Sequence, residues 1–255
     1  MSDVSFVGGG WQQGLEAQVD VRPKVVIPAR FSASASALRY RAIVNARALS
    51  EAVLLAGGEP LTVHPWAPGG VVSAREVAQR LDFADAVLLP GGGDLAPQSY
   101  GQQVTSQDVY DVDLEQDGFD LAIAQWALGA GVPVLAICRG LQVVNVARGG
   151  DLRQDMTEPH RYVVHDLQLA PDSALAVITG GSVRASCFHH QELDRLGDGL
   201  RAVAWSAEGV VEAVELREST GWFLGVQWHP EDTHATDPAQ AAILRAFVAA
   251  ALTTL

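Results

Sequence analysis

The chain has 255 residues, of which 48% are hydrophobic and 18% are charged, a balance typical of globular rather than disordered proteins. Its formal net charge of −13 argues against a broad surface for nucleic acids or anionic membranes. No apolar run approaches the roughly 20 residues of a membrane-spanning helix, and the 2 cysteines do not indicate a disulfide scaffold. We therefore expect a cytoplasmic protein without nucleic-acid or membrane partners.

The first half of the chain alternates short apolar runs with helical patterns. Residues 1–22 lack the features of a secretory signal and are expected to form a mobile N-terminal segment. Strands are predicted at Lys24–Ile27, Leu61–Val63, Ala86–Leu89 and Pro133–Ile137. Helices are predicted over Leu38–Ala56, ended by Gly57-Gly58, from the Ser73/Glu76 capping box to Leu81, and over Leu114–Leu128. This alternation predicts βαβ units and a buried parallel sheet.

The second half changes character near Gly149, where strand-like runs lie closer together. Strands are predicted at Tyr162–Val164, Arg201–Trp205, Val210–Leu216 and Trp222–Trp228, the last two joined by a hairpin connection. A last helix begins at Asp237-Pro238, and its apolar face is formed by Ile243, Leu244, Phe247, Val248 and Ala251. We expect residues 23–255 to form one α/β domain whose central sheet is mixed and mostly parallel, with an antiparallel C-terminal part.

The segment around Cys138 carries the most chemical information. An apolar strand runs directly into a helical pattern, with Cys138 at the junction and Gly140 two residues later. A nucleophile on such a turn projects from the carboxyl edge of the sheet, and the helix N-terminus favours the reactive thiolate. The backbone N–H of Arg139 would then be placed to hold an oxyanion. A small buried core cysteine is the alternative interpretation.

Two further strand ends carry polar or glycine-rich turns. Ala86–Leu89 runs into Pro90-Gly91-Gly92-Gly93-Asp94, where Gly91 or Gly92 could supply a second oxyanion donor, although an ordinary βα turn is the alternative. The strand ending at Trp228 continues as His229-Pro230-Glu231. Residues i and i+2 of an extended chain point the same way, so Glu231 could orient the His229 imidazole. A solvated strand end is the alternative there.

Together these segments resemble the class I glutamine amidotransferase superfamily, in its gamma-glutamyl hydrolase-like branch. The matches are Leu-Pro-Gly-Gly-Gly-Asp ending at Asp94, Ala-Ile-Cys-Arg-Gly-Leu-Gln ending at Gln142, and Val-Gln-Trp-His-Pro-Glu ending at Glu231. The resemblance implies a flavodoxin-like three-layer αβα fold. It is strongest to peptidase C26 enzymes that cleave gamma-glutamyl-gamma-aminobutyrate and related amides in polyamine catabolism.

The resemblance also implies roles for particular residues. Cys138 would be the nucleophile, His229 the base and Glu231 its orienting carboxylate. The oxyanion hole would consist of the N–H groups of Gly91 and Arg139, and the substrate would be bound by Gly92, Gln142, His189 and Gln191. For the last two residues, the alternative is a structural turn in Phe188-His189-His190-Gln191.

The expected reaction is hydrolysis of a small gamma-glutamyl amide through a gamma-glutamyl thioester, without a cofactor. His229, Glu231 and His234 lie close in sequence, but no second cluster has zinc-ligand spacing, so we expect no metal. Three alternatives stay open: a glutaminase subunit that passes ammonia to a synthetase, a non-catalytic binding protein on the same fold, and a peptidase of broad specificity. A homodimer is implied only by the family.

Overall fold

A computed structural model describes residues 21–33, 42–218 and 220–253. The expected mobile segment, residues 1–22, lies outside these ranges except for its last two residues. The strands are β1 Lys24–Pro28, β2 Arg30–Ser32, β3 Ala42–Val44, β4 Glu59–Val63, β5 Ala86–Leu89, β6 Val134–Ile137, β7 Leu152–Arg153, β8 His160–Asp166, β9 Gln168–Leu169, β10 Arg184–His189, β11 Glu192–Leu193, β12 Leu200–Trp205, β13 Val211–Leu216 and β14 Phe223–Val226.

Several helices begin where the sequence provides a side-chain cap. They are α1 Arg47–Leu55, α2 Ala74–Leu81, α3 Leu114–Ala130, α4 Arg139–Ala147, α5 Ala174–Thr179, α6 Pro230–Thr233 and α7 Pro238–Leu252. The predicted capping box at the start of α2 is confirmed, since Ser73 and Glu76 satisfy each other's backbone N–H groups. Asp237 caps α7 by accepting from Ala239 N–H at 2.9 Å. Within the described ranges, no helix is long and apolar enough to cross a membrane.

The mixed sheet that the sequence predicts is confirmed. Among the described residues it has eight strands in the order β4-β1-β5-β6-β14-β13-β12-β9. The pairs from β4 to β14 are parallel, whereas the pairs from β14 through β13 and β12 to β9 are antiparallel. The antiparallel part is therefore built from the C-terminal half of the chain, and its strand β14 is shared with the parallel part.

Helices cover both faces of this sheet, which gives the three-layer αβα arrangement. Val25 and Ile27 of β1 pack in a core cluster with residues of α1 and α7, whereas Val26 packs in a second cluster with residues of α2, α3 and α4. The alternation follows from the two-residue period of a strand. All three side chains are fully buried, and burying each stabilises the fold by about 1.5–3 kcal/mol.

The topology brings three strand ends together. Strand β6 pairs in parallel with β5 on one side and with β14 on the other. Their carboxyl ends therefore lie next to each other at one edge of the sheet, which is the edge where ligands bind in parallel α/β folds. The glycine turn, Cys138 and His229 follow these three strands.

The helix predicted over Leu38–Ala56 is partly wrong. Ala42–Val44 forms β3, which pairs antiparallel with β2, and α1 begins only at Arg47. The strand pairing outweighs the helical spacing of the apolar residues. Leu38 lies outside the described residues. The predicted stop after Ala56 is confirmed, because Gly57 has a φ of +96°.

Candidate active site

Cys138 occupies a sharp turn between β6 and α4. Its φ of +50° and ψ of −109° lie outside the regions that L-residues normally adopt. Gly140 makes this turn possible, because a Cβ at this position would lie 2.2 Å from the carbonyl oxygen of Leu89 at the end of β5. The first turn of α4 thus packs directly on the end of β5, with Cys138 in the N-cap position of the helix.

His229 and Glu231 lie beside this turn. The His229 Nδ1 atom is 2.8 Å from Glu231 Oε1. Gly91 packs closely against both His229 and Cys138. A Cβ built on Gly91 would lie 2.8 Å from His229 Cε1 and 3.7 Å from Cys138 Cβ. The structure therefore brings together the thiol, the imidazole, the carboxylate and the first glycine of the turn after β5.

The local conformation at His229 differs from the extended chain that the sequence analysis assumed. Pro230 begins the short helix α6, and Glu231 lies in its first turn. Proline favours this position because its fixed φ suits a helix start and its missing N–H is not needed there. The predicted contact between His229 and Glu231 is nevertheless made, through the first turn of a helix.

The electrostatic surroundings keep His229 protonated. Burial alone lowers the pKa of His229, but Cys138 and Glu231 outweigh this effect and raise it to about 11. An imidazolium beside a cysteine favours the thiolate, which is the nucleophilic form. The pair is therefore suited to attack a carbonyl with the sulfur and to deliver a proton with the ring.

The second cysteine lies in different surroundings. Cys187 is buried in β10, and its Sγ is 3.7 Å from Glu212 Oε2. Burial and this carboxylate raise the pKa of the Cys187 thiol far above its usual range. Its neighbour Glu212 is buried too, but bonds to His160 and His189 hold the pKa of this carboxyl low, at about 2. The two cysteines therefore differ in their partners, since Cys138 lies beside His229 and Cys187 lies beside a buried carboxylate.

Arg30 fixes the glycine turn in place. Its Nη2 donates to the carbonyl oxygen of Pro90 at 2.7 Å, and its Nε donates to that of Gly91 at 2.9 Å. In a trans peptide the carbonyl and the N–H point in opposite directions. Since Arg30 holds the Pro90 carbonyl, the Gly91 N–H of the same peptide points away from Arg30. This places an oriented donor in the turn beside Cys138.

A buried ion-pair network supports both arginines. Asp120 pairs with Arg30 and with Arg139, and Arg139 also pairs with Asp117 at 2.5 Å. Burial lowers the pKa of Arg30 to about 10, so it remains a cation at neutral pH. Both terminal nitrogens of the Arg139 side chain thus donate to buried carboxylates. Sequence reasoning missed Arg30 and Asp120, because the two are 90 positions apart.

A cleft of about 640 Å³ opens beside the turn between β6 and α4. Gly92 and Arg139 line it, together with the acidic side chains of Asp111, Asp113 and Glu115. A Cβ on Gly92 would lie 2.9 Å from Arg30 Nε, so a side chain at this position would collide with the arginine that holds the turn. The cleft is large enough for a small substrate and is rich in carboxylates.

The remaining predicted binding residues have distinct surroundings. Gln142 lies four residues after Cys138, and its side chain is buried. The His189 ring donates from Nδ1 to the Gln191 carbonyl at 3.0 Å, and Gln191 Nε2 donates to Gln154 O at 3.3 Å. Contact of these three residues with substrate stays a prediction.

Comparisons with known proteins identify the family of this chain. The family model described as Peptidase C26 matches residues 25–231. Protein NtpR of Enterococcus hirae is 31% identical over 191 residues, covering 70% of this chain and 80% of its own length. The putative glutamine amidotransferase Rv2859c of Mycobacterium tuberculosis is 36% identical over 71% of this chain, which spans 60% of that relative.

Two further relatives extend the comparison. The gamma-glutamyl-gamma-aminobutyrate hydrolase PuuD of Escherichia coli is 32% identical over 199 residues, covering 71% of this chain and 75% of its own length. A crystal structure of a putative GMP synthase subunit from Thermoplasma acidophilum superposes with a TM-score of 0.63. It covers 92% of this chain and 96% of its own, at 15% identity, and so supports the fold alone. The chain belongs to the peptidase C26 family, within the class I glutamine amidotransferase superfamily.

Proposed function

We propose that this protein is a cysteine hydrolase that cleaves the gamma-glutamyl amide bond of a small gamma-glutamyl compound and releases glutamate and an amine. The observation that carries the proposal is the grouping of Cys138, His229 and Glu231 around Gly91 at the carboxyl edge of the sheet. The E. coli relative named for gamma-glutamyl-gamma-aminobutyrate hydrolysis supports the substrate class.

The reaction proceeds in two steps. The Cys138 thiolate attacks the gamma-carbonyl carbon, and the resulting oxyanion accepts hydrogen bonds from the N–H groups of Gly91 and Arg139. The His229 imidazolium gives its proton to the amine nitrogen, and the C–N bond breaks to leave a gamma-glutamyl thioester. Neutral His229 then takes a proton from water, and the hydroxide attacks the thioester carbon. Collapse releases glutamate and restores the thiolate–imidazolium pair.

A glutaminase that serves a separate synthetase is the alternative that shares this chemistry. The T. acidophilum protein of similar fold is described as a putative GMP synthase subunit, which is consistent with this alternative. Such a glutaminase would release ammonia from glutamine and would need its synthetase partner for efficient turnover. A non-catalytic binding protein would release glutamate neither from glutamine nor from any other gamma-glutamyl compound.

A glutamate-release assay on the purified chain alone distinguishes these functions. The substrates are gamma-glutamyl-gamma-aminobutyrate, glutamine and a gamma-glutamyl polyamine, the last because Asp111, Asp113 and Glu115 would attract a cationic amine. We expect turnover of at least one gamma-glutamyl amide in preference to glutamine. A strong preference for glutamine would favour the glutaminase, and no release from any substrate would contradict the hydrolase.

The pH dependence of kcat/KM should report the protonation of His229. Because the neighbouring thiolate and Glu231 hold the pKa of His229 at about 11, we expect no alkaline fall in activity below about pH 10. Glu231→Gln removes the negative charge that favours the imidazolium, so the alkaline limb should move down by roughly 1–3 pH units. Initial rates from pH 6 to 11 measure this, with the exposed Glu51→Gln as control. Superimposable profiles for Glu231→Gln and the wild type would contradict the assignment.

Gly91→Ala should damage catalysis more than folding. The new Cβ would lie 2.8 Å from His229 Cε1, which forces the imidazole away from the thiol. A misplacement of this kind costs on the order of 10²-fold in kcat/KM. The matched control is Gly129→Ala in α3, where a Cβ meets nothing within 4 Å. Steady-state kinetics and thermal unfolding of both variants check the prediction, and equal activities would refute it.

A further inference from the structure

A second cluster of reactive side chains lies outside the proposed catalytic group. His160 and His165 come from β8, Cys187 from the paired strand β10, and Glu212 from β13 of the central sheet. One ligand atom from each of the four lies within 4.8 Å of all the others. The cluster therefore joins the two-stranded β8–β10 sheet to the central sheet.

The spacing of these atoms suits a tetrahedral cation. Zinc bonds of about 2.0–2.3 Å place neighbouring tetrahedral ligands roughly 3.3–3.6 Å apart. Cys187 Sγ is 3.4 Å from His165 Nε2 and 3.7 Å from Glu212 Oε2. His165 Nε2 is 3.9 Å from Glu212 Oε1. The His160 Nδ1 to Glu212 Oε1 distance of 2.8 Å is a hydrogen bond, which a cation would replace and widen.

His189 adds a third imidazole around the buried carboxylate of the cluster. Its Nδ1 donates to the Gln191 carbonyl at 3.0 Å, and its Nε2 is 3.4 Å from Glu212 Oε1. Glu212 is fully buried, and three imidazoles and the Cys187 thiol surround it. Buried charges in proteins are paired or coordinate metals.

We propose that His160, His165, Cys187 and Glu212 bind one zinc ion that fixes the two-stranded β8–β10 sheet to the central sheet. Two imidazoles, a thiolate and a carboxylate are ligands that zinc accepts, whereas magnesium and calcium require oxygen ligands. Binding forms a Zn–S bond and releases the Cys187 proton to solvent. With four protein ligands the site is closed, which is typical of structural rather than catalytic zinc.

The surroundings provide access and outer contacts. A second cleft, of about 570 Å³, is lined by His160 and Glu208 and so reaches the His160 side of the cluster. The Glu208 carboxylate is 3.9 Å from His160 Nε2. When Nδ1 of His160 holds the metal, this carboxylate can accept the Nε2–H, the usual second contact of a zinc-bound histidine.

The zinc would also order the chain beside the nucleophile. Phe188 follows Cys187 directly, and its carbonyl oxygen is 4.0 Å from Cys138 Sγ. The site departs from the sequence-based expectation of no metal. Its ligands come from three strands, and only His160 and His165 have the short spacing of a zinc motif. Cys187 and Glu212 are distant in sequence, so the complete ligand set could not be read from the sequence.

Metal titration tests the site without any activity measurement. The full chain is freed of metal with a chelator, then titrated with Zn²⁺ against a chromogenic competitor and separately with Co²⁺. We expect one ion per chain, a higher Tm with Zn²⁺, and, with Co²⁺, a thiolate-to-cobalt charge-transfer band with intense tetrahedral d–d bands. Cys187→Ser should lose the charge-transfer band and weaken zinc binding by at least about 10²-fold.

Two further variants make the result decisive. Cys138→Ala removes the other thiol and should keep the cobalt band and the zinc affinity, which excludes binding at the catalytic group. Glu212→Gln keeps the side-chain shape and should weaken zinc binding, so it serves if Cys187→Ser fails to fold by circular dichroism. The proposal is overturned if the wild type takes up no Zn²⁺ at micromolar concentration, if Cys138→Ala abolishes the cobalt band, or if Glu212→Gln binds zinc as the wild type does.

Discussion

Cys138→Ala is expected to abolish glutamate release, with kcat lower by roughly 10⁴–10⁶-fold. Without the sulfur no thioester can form, and the oxyanion donors and His229 cannot replace it. The variant keeps the Cβ and therefore the packing of the turn between β6 and α4, so folding should be retained. The measurement is the glutamate-release assay with the best substrate of the panel, together with thermal unfolding.

The control for this prediction is the second thiol. Cys187→Ala should keep glutamate release from the same substrate far above that of Cys138→Ala, because the Cys187 sulfur is buried in β10 and does not form the thioester. Rapid acid quenching of the wild type should also trap a gamma-glutamyl adduct on the peptide that contains Cys138, detectable by mass spectrometry. An adduct on the Cys187 peptide, or full activity of Cys138→Ala, would contradict the proposed mechanism.

Asp120→Ala is expected to lower the free energy of unfolding by about 3–5 kcal/mol, because it leaves two buried guanidinium groups short of their shared partner. Asp120 is fully buried and pairs with Arg30 and Arg139. Arg30 would also lose the contact that aims it at the Pro90 and Gly91 carbonyls, so kcat should fall as well. Denaturant unfolding and steady-state kinetics measure the two effects.

An exposed ion pair gives the matched comparison. Glu51→Ala removes the partner of Arg47 at i,i+4 spacing on the surface of α1, which should change stability by only about 0.3–0.5 kcal/mol and leave kcat unchanged. If Asp120→Ala were no more destabilising than Glu51→Ala, the buried network would not be what supports the glycine turn.

The sequence predicts those parts of the site that depend on neighbouring residues. Cys138 and His229 each follow an apolar run, and parallel pairing of such runs places their ends together. The fold class follows from the same alternation of strands and helices. The residues that support the site could not be predicted in this way. Arg30 meets Asp120 only through the three-dimensional fold, and neither residue belongs to a short motif.

The errors of the sequence analysis have the same origin. The apolar spacing from Leu38 to Ala56 resembles a helix, but pairing with β2 makes Ala42–Val44 a strand. Pairing of β8 with β10 brings His165 and Cys187 within 3.4 Å, although they are 22 positions apart. Such contacts depend on which strands pair and in which register, and a hydrophobic pattern specifies register only where it determines the buried face.

The left-handed backbone conformation of Cys138 lowers the stability of the fold at the position that carries the reactive sulfur. A non-glycine residue held in such a conformation costs about 1–3 kcal/mol, so stability alone would favour glycine at position 138. A glycine, however, has no sulfur to offer. The well-packed sheet on either side of the turn therefore offsets this conformational cost. Its stability holds a reactive residue in a backbone conformation that the residue would leave in a free peptide.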